Sequence, residues 1–208
     1  MSSPSPTPNP DRPRIFGIGL NKTGTTTFGE ALTIVGFRSL HFGGDDAHQA
    51  VKRAIDENVP LLTYLDPAYD AYSDIGLLSR RFKMLDEQYP GSRFVLTTRP
   101  RAAWIDSRRR HVERNVKKKA QGGYDGTFLV VDEEKWTREW DEHHERVRTY
   151  FANRPDFLEI DLSDDPTWEP LATFLGVATP TAPFPWANRG ADRSRTAASR
   201  LLARFTRG

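Results

Sequence analysis

The chain has 208 residues, with 30 lysines and arginines against 28 aspartates and glutamates, a net charge of +2 and 37 % hydrophobic residues. That length fits one domain with room for a sizeable core, and the near balance of charge gives no ground for a nucleic-acid partner. There is no cysteine, which excludes disulfides and thiolate metal sites, and no apolar run approaches the roughly 18 residues of a membrane span, so no transmembrane segment is expected.

Residues 1–13 are rich in proline and serine without an apolar stretch. They read as a disordered tail rather than a secretory signal, and a cytoplasmic location is expected. IFGIGL (15–20) is an apolar run interrupted by glycine, as in a buried parallel strand entering a loop. Phe28, Ala31, Leu32 and Val35 then recur at helical spacing, with Gly36 as the stop. FRSLHF (37–42) is a weaker strand, 46–58 a helix, and VPLLTYL (59–65) a strand entered through proline. Residues 73–89 form a helix closed by Pro90 and Gly91, and RFVLTT (93–98) is the clearest strand. Pro100 opens a helix that runs to about Lys119, where QGGYDG (121–126) breaks it. Trp136, Trp140, Val147 and Phe151 mark a further helix, FLEIDL (157–162) a last strand and 168–175 a short helix, before prolines make the chain irregular from Thr179. This alternation implies βαβ units: a three-layer α/β sandwich with a central parallel sheet, P-loop NTPase-like, spanning 14–190 and followed by a basic tail, 191–208.

The chemistry concentrates in GIGLNKTGTTT, Gly17 to Thr27, between the first strand and the first helix. Backbone N–H groups at a helix N-terminus cradle anions. Gly24 admits close approach of a phosphate, Thr25, Thr26 and Thr27 add hydroxyl donors, and Lys22 adds a compact charge. The blander reading is a threonine-rich helix cap beside an exposed lysine. The loop is not a Walker A sequence, because the lysine precedes the second glycine by two instead of following it.

Lys22-Thr23-Gly24-Thr25-Thr26 resembles the 5′-phosphosulfate-binding loop of the sulfotransferase family. The resemblance implies PAPS (3′-phosphoadenosine 5′-phosphosulfate) as donor and PAP as product, with Lys22 also touching the transferring sulfuryl group. The family holds the 3′-phosphate through an arginine at the end of a later strand and a serine eight positions on, which here are Arg99 and Ser107. Two helical turns separate them, so both can converge on one anion. YPGSRFVLTTRPRAAW (89–104) and WEPLATFLGVATPTAPFPWANR (168–189) are similar to a bacterial-type branch, and the resemblance covers roughly 15–190. One position departs: many members carry tryptophan after Gly-Thr-Thr to stack on adenine, whereas this chain has Thr27, leaving Trp104 or Trp186 as substitutes.

The family uses a histidine or glutamate as general base at positions that vary. Histidine is the side chain whose titration lies nearest neutrality, and His41, near the end of the second strand, is the first choice. Asp66, at the end of LLTYLD, is the rival. The structural alternatives are a surface histidine for His41 and a turn residue before Pro67 for Asp66. An apolar run ending in Asp66 also resembles a Walker B strand, which would make the chain a nucleotide kinase using ATP and Mg²⁺. The displaced lysine and the Arg99/Ser107 pair speak against that, and a non-catalytic nucleotide-binding module is the other alternative. No metal is expected, since Lys22 and the loop dipoles can stabilise the bridging oxygen. The acceptor, a hydroxyl or amine of a small molecule, carbohydrate or lipid, stays open.

Four features carry weaker readings. His143 and His144 are expected on a solvated helix face rather than on a metal. The basic run 107–119 is either a solvated helix end or an electrostatic funnel. Residues 120–131 are read as a lid over the acceptor site. The arginine-rich end from Arg189 is assigned to phosphate, to a membrane surface or to nothing.

Overall fold

In the computed structural model, which describes residues 12–187, five strands form one parallel sheet in the order β2-β3-β1-β4-β5. The strands are β1 (Ile15–Gly17), β2 (Ser39–His41), β3 (Ala71–Ser73), β4 (Arg93–Thr98) and β5 (Phe157–Asp161). The helices are α1 (Thr25–Ile34), α2 (Gly44–Asp56), α3 (Gly76–Ser79), α4 (Phe82–Gln88), α5 (Arg101–Ala120), α6 (Glu133–Tyr150) and α7 (Glu169–Leu175). The N-terminal residues 1–11 and the basic C-terminal tail lie outside the described residues. Among those described, no helix is long and apolar enough to cross a membrane.

Strand side chains alternate between two cores, as the two-residue period of a strand requires. Ile15, Ala71 and Val95 point to one face, where they are buried with Phe28, Ala31 and Leu32 of α1 and Leu171 and Leu175 of α7. Phe16, Tyr72, Phe94 and Leu96 point to the other and meet Val51 of α2, Leu78 of α3, Phe82 and Leu85 of α4 and Val147 of α6. Phe94 is the hub of this second core, with ring centroids 5.5 Å from Phe16 and 4.7 Å from Phe151. The sheet is covered on both faces, the three-layer arrangement expected of an all-parallel sheet.

One predicted strand is displaced. VPLLTYL forms consecutive turns, with Thr63 N–H bonded to the Pro60 carbonyl at 2.9 Å and Leu65 N–H to Leu62 at 3.0 Å. Leu61 and Leu65 are buried four residues apart, a helical spacing that an apolar run conceals. The N–H groups of Leu61 and Leu62 find Gln88 Oε1 and Tyr89 Oη, each at 2.9 Å, instead of a neighbouring strand. Ala71–Ser73 takes the place in the sheet. The helix predicted over 73–89 is accordingly split into α3 and α4.

The chain enters the domain through Arg12, whose guanidinium donates to the carbonyls of Gly36 and Val35 at 2.8 and 3.0 Å and lies 3.3 Å over the Phe37 ring. A cation on the last carbonyls of α1 suits the negative end of that helix.

Candidate active site

All five carboxyl ends lie along one edge of the sheet, and β1 is where the chain's direction of winding changes: α1 leads to β2 on one side, while β4 lies on the other. Such a switch point opens a crevice for a ligand, and residues 18–24 run through it. Four carbonyls of this loop are held by side chains. His143 Nε2 donates to Ile18 at 2.8 Å, Thr23 Oγ1 to Leu20 at 2.6 Å, Trp104 Nε1 to Asn21 at 2.7 Å and Arg99 Nη1 to Lys22 at 3.1 Å. With their carbonyls engaged on the protein side, loop residues keep N–H groups for an anion.

Gly24 turns the loop into α1 at φ 92°, a conformation that L side chains rarely adopt. The N-terminus of α1 is thereby aimed at the crevice, with no side-chain cap on its first N–H groups. The threonines divide into roles that their sequence does not separate. Thr23 is fully buried, and its hydroxyl, already donating to Leu20, accepts from Thr97 at 2.7 Å, so it is structural. Thr25 is buried and hydrogen-bonds the Asp74 carboxylate. Thr26, half-buried, lies 3.2 Å from His41 Nε2. Thr27 accepts from the Ala187 N–H at 3.2 Å, which ties the C-terminal segment to the start of α1 and leaves Trp186 beside it.

His41 reaches the site from the end of β2. Its Nδ1 bonds Ser73 Oγ at 3.0 Å, and its Nε2 lies 3.9 Å from the carboxylate of Asp74. Asp74 follows β3 directly, and burial raises its pKa against the opposing pull of His41, Lys22 and the Thr25 hydroxyl. Burial also lowers the pKa of Lys22, which Asp74 partly offsets and Arg114 and Arg108 reinforce. A lysine, a carboxylate and an imidazole therefore meet at the anion loop.

Asp66 is not among them. It lies in an exposed turn and accepts from the Ala68 N–H at 2.8 Å, the Asx turn that an aspartate before proline favours. The edge position expected for it belongs to Asp74, which the reading of the sequence missed. Its only signal was a carboxylate directly after the short strand Ala-Tyr-Ser.

On the other flank Arg99 leaves β4 and Ser107 sits half-buried in α5. Arg108, next to it, is enclosed by Trp104, Phe128 and Trp136, with its guanidinium carbon 4.7–5.0 Å from their centroids, and bonds Asn21 Oδ1 at 3.2 Å. The basic helix thus serves the loop as well as solvent. His111 registers the local field: burial, then Lys22, Arg114, Arg108 and Lys118, push its pKa down to about 4. Trp104, fully buried with its indole on the loop, is not placed to stack on a base.

The solvated face expected for His143 and His144 is likewise corrected. Both are buried, because α6 turns Trp136, Trp140, His143, His144 and Val147 inward. His144 Nδ1 donates to the Trp140 carbonyl at 2.8 Å, and its Nε2 accepts from Thr98 Oγ1 at 3.1 Å. In the segment read as a lid, Phe128 is anchored by Asn115, which donates to its carbonyl at 3.0 Å, while Val130 and Val131 are exposed.

Residues 14–124 and 117–193 match the family described as the sulfotransferase domain. The fold is similar to that of a crystal structure of the sulfotransferase from Alicyclobacillus acidocaldarius, at 17 % identity and a TM-score of 0.55, over 94 % of this chain and 92 % of that one. No functionally curated protein matches the chain.

Proposed function

The chain belongs to the sulfotransferase-domain family, and from that premise we propose that it transfers a sulfuryl group from PAPS to a hydroxyl-bearing acceptor. The residues fit such a donor. A half-buried lysine, a helix N-terminus aimed into the crevice, and Arg108, Arg114 and Lys118 close enough to act on His111 make a positive field that a polyanion complements. Lys22, Gly24, Thr25 and Thr26 would hold the 5′-phosphosulfate, and Arg99 with Ser107 the 3′-phosphate. Bound there, the donor supplies an activated sulfuryl group: its sulfur–oxygen bond to phosphate breaks as the bond to the acceptor oxygen forms, and PAP leaves with the electron pair.

His41 takes the acceptor proton, and Asp74, 3.9 Å from its Nε2, balances the imidazolium that results. Ser73 orients the ring from its other side. The positive end of α1 and Lys22 face the negative charge that develops on the leaving oxygen. The observation that carries the proposal is the contact of 3.2 Å between Thr26 of the anion loop and His41 Nε2. It joins donor loop and base within one hydrogen bond.

A second reading has one observation of its own. Thr25 bonded to a carboxylate at a strand end is also how a nucleotide kinase would arrange its Mg²⁺ ligands. Calorimetric titration of PAP and of ADP, each with and without Mg²⁺, separates the two on wild type and Arg99→Ala. The sulfotransferase reading expects PAP to bind without metal and the variant to lose about 1.5–3 kcal/mol of PAP binding. ADP, which lacks the 3′-phosphate, should lose only what the freed Lys22 carbonyl costs the loop. Preference for ADP with Mg²⁺ refutes it and promotes the kinase.

A further inference from the structure

A groove of about 460 Å³ opens along α1 and runs to the edge strand β2, within the size range of small-molecule sites. On α1 its wall is Thr26, then Gly29 and Glu30, then Thr33 and Ile34. These positions recur at three and four residues, one face of the helix. Ser39, His41 and Pro185 complete it from the opposite side. Thr26 and His41 are thus shared with the site already described, whereas Glu30 and Ile34 stand toward solvent.

Two properties select its occupant. The wall is largely apolar: Ile34 is 47 % exposed there although aliphatic, and Thr33 turns its hydroxyl back onto the Gly29 carbonyl at 3.0 Å. The charges, moreover, are divided between the flanks of the loop. Arg108, Arg114 and Lys118 crowd the α5 side around His111, and Lys22 stands between the flanks, acting on His111 and on Asp74. Among the described residues that line the groove, the charged side chain is Glu30 and none is a lysine or arginine. An anionic group lying along the groove meets a carboxylate at the mouth. Gly29 keeps the groove joined to the loop, because a Cβ there would lie 3.1 Å from that of His41. Its absence lets α1 approach β2 until the imidazole reaches Thr26.

From this we infer that the groove is the acceptor site and that the acceptor is a slender amphiphile. Its hydroxyl lies at the Thr26–His41 end, its aliphatic body along Thr33, Ile34 and Pro185, and its far end, neutral or carrying an ammonium group, at Glu30. Its role as acceptor site rests on the sulfotransfer reading; its selectivity as a binding groove does not.

The test uses three probes of equal length, octanol, ω-amino-octanol and ω-hydroxyoctanoate, titrated into the full chain with labelled isoleucine methyl groups. Ile34 should shift with the amine and the neutral alcohol and respond least to the carboxylate. Glu30→Lys, a change at an exposed position, should shift the preference between amine and carboxylate by about two- to fivefold, as expected of one surface charge. Thr33→Trp should abolish the Ile34 response to all three while PAP binding is unchanged. A silent Ile34, or one that responds equally to all three probes, overturns the inference even if PAP binds. Conversely, failure of PAP to bind with the Ile34 pattern as expected defeats the donor reading and leaves the groove's selectivity standing.

Discussion

His143 offers the sharpest test of how the anion loop is held. Its ring is 5 % exposed, it donates to the Ile18 carbonyl, and burial takes its pKa from the ordinary 6.5 down to about 4. On acidification the unfolded chain therefore takes up the proton before the folded chain does. The stabilising contribution is complete above about pH 6.5 and is lost as the pH falls toward 4. Between about pH 7.5 and about pH 5 the two pKa values correspond to a loss of about 2 kcal/mol from this residue. His143→Gln retains an amide donor for Ile18 but has no proton to gain. Urea unfolding of both proteins at the two pH values measures the difference, and titrating groups remote from His143 cancel in the comparison. Wild type should lose about 2 kcal/mol more stability than the variant. Equal losses would mean that His143 is protonated in the folded protein and that the buried, neutral imidazole pinning the loop has been misread.

Two further outcomes follow from the site. Asp74→Asn should lower kcat/KM by about ten- to a hundredfold with PAP affinity little changed, while Asp66→Asn leaves activity at wild-type level; steady-state kinetics on both decides which aspartate belongs to the site. Because burial raises the Asp74 pKa, its support of His41 should fade on acidification at a higher pH than an ordinary carboxylate's. Gly24→Ala forces a side chain into φ 92° with its Cβ 3.1 Å from that of Leu162, and should cost about 1–2 kcal/mol in urea unfolding together with PAP affinity in calorimetry.

The loop and the clearest strand were legible because each carries its own local signal. RFVLTT is a β-branched and apolar run that reads the same in any context, and glycines between an apolar run and a helical repeat mark a turn from strand to helix. β3 was hidden for the opposite reason. Ala-Tyr-Ser becomes a strand through its partners, Ile15 and Phe16 on one side and Ser39 and Leu40 on the other. The more apolar VPLLTYL nearby carries the stronger local signal and takes none of those partners, so the aspartate assigned to the sheet edge moved from 74 to 66. α6 misled in another way. EEKWTREWDEHHERVRTY is polar in composition, and two adjacent histidines on such a helix suggest water. Each instead meets a backbone carbonyl: His144 that of Trp140, one helical turn back, and His143 that of Ile18, a partner visible only once the chain is folded.

The side chains that hold the loop carbonyls from outside the loop, Arg99, Trp104 and His143, all approach from the β4–α5–α6 flank. The groove is built from the outward face of α1, a three-residue edge strand and Pro185. These parts can diverge separately. Replacements at Thr33 or Ile34 touch none of the three anchors, so a lineage or a laboratory library can alter the groove while the loop's supports are inherited intact. Replacements at Trp104 or His143 would disturb every reaction the scaffold supports at once.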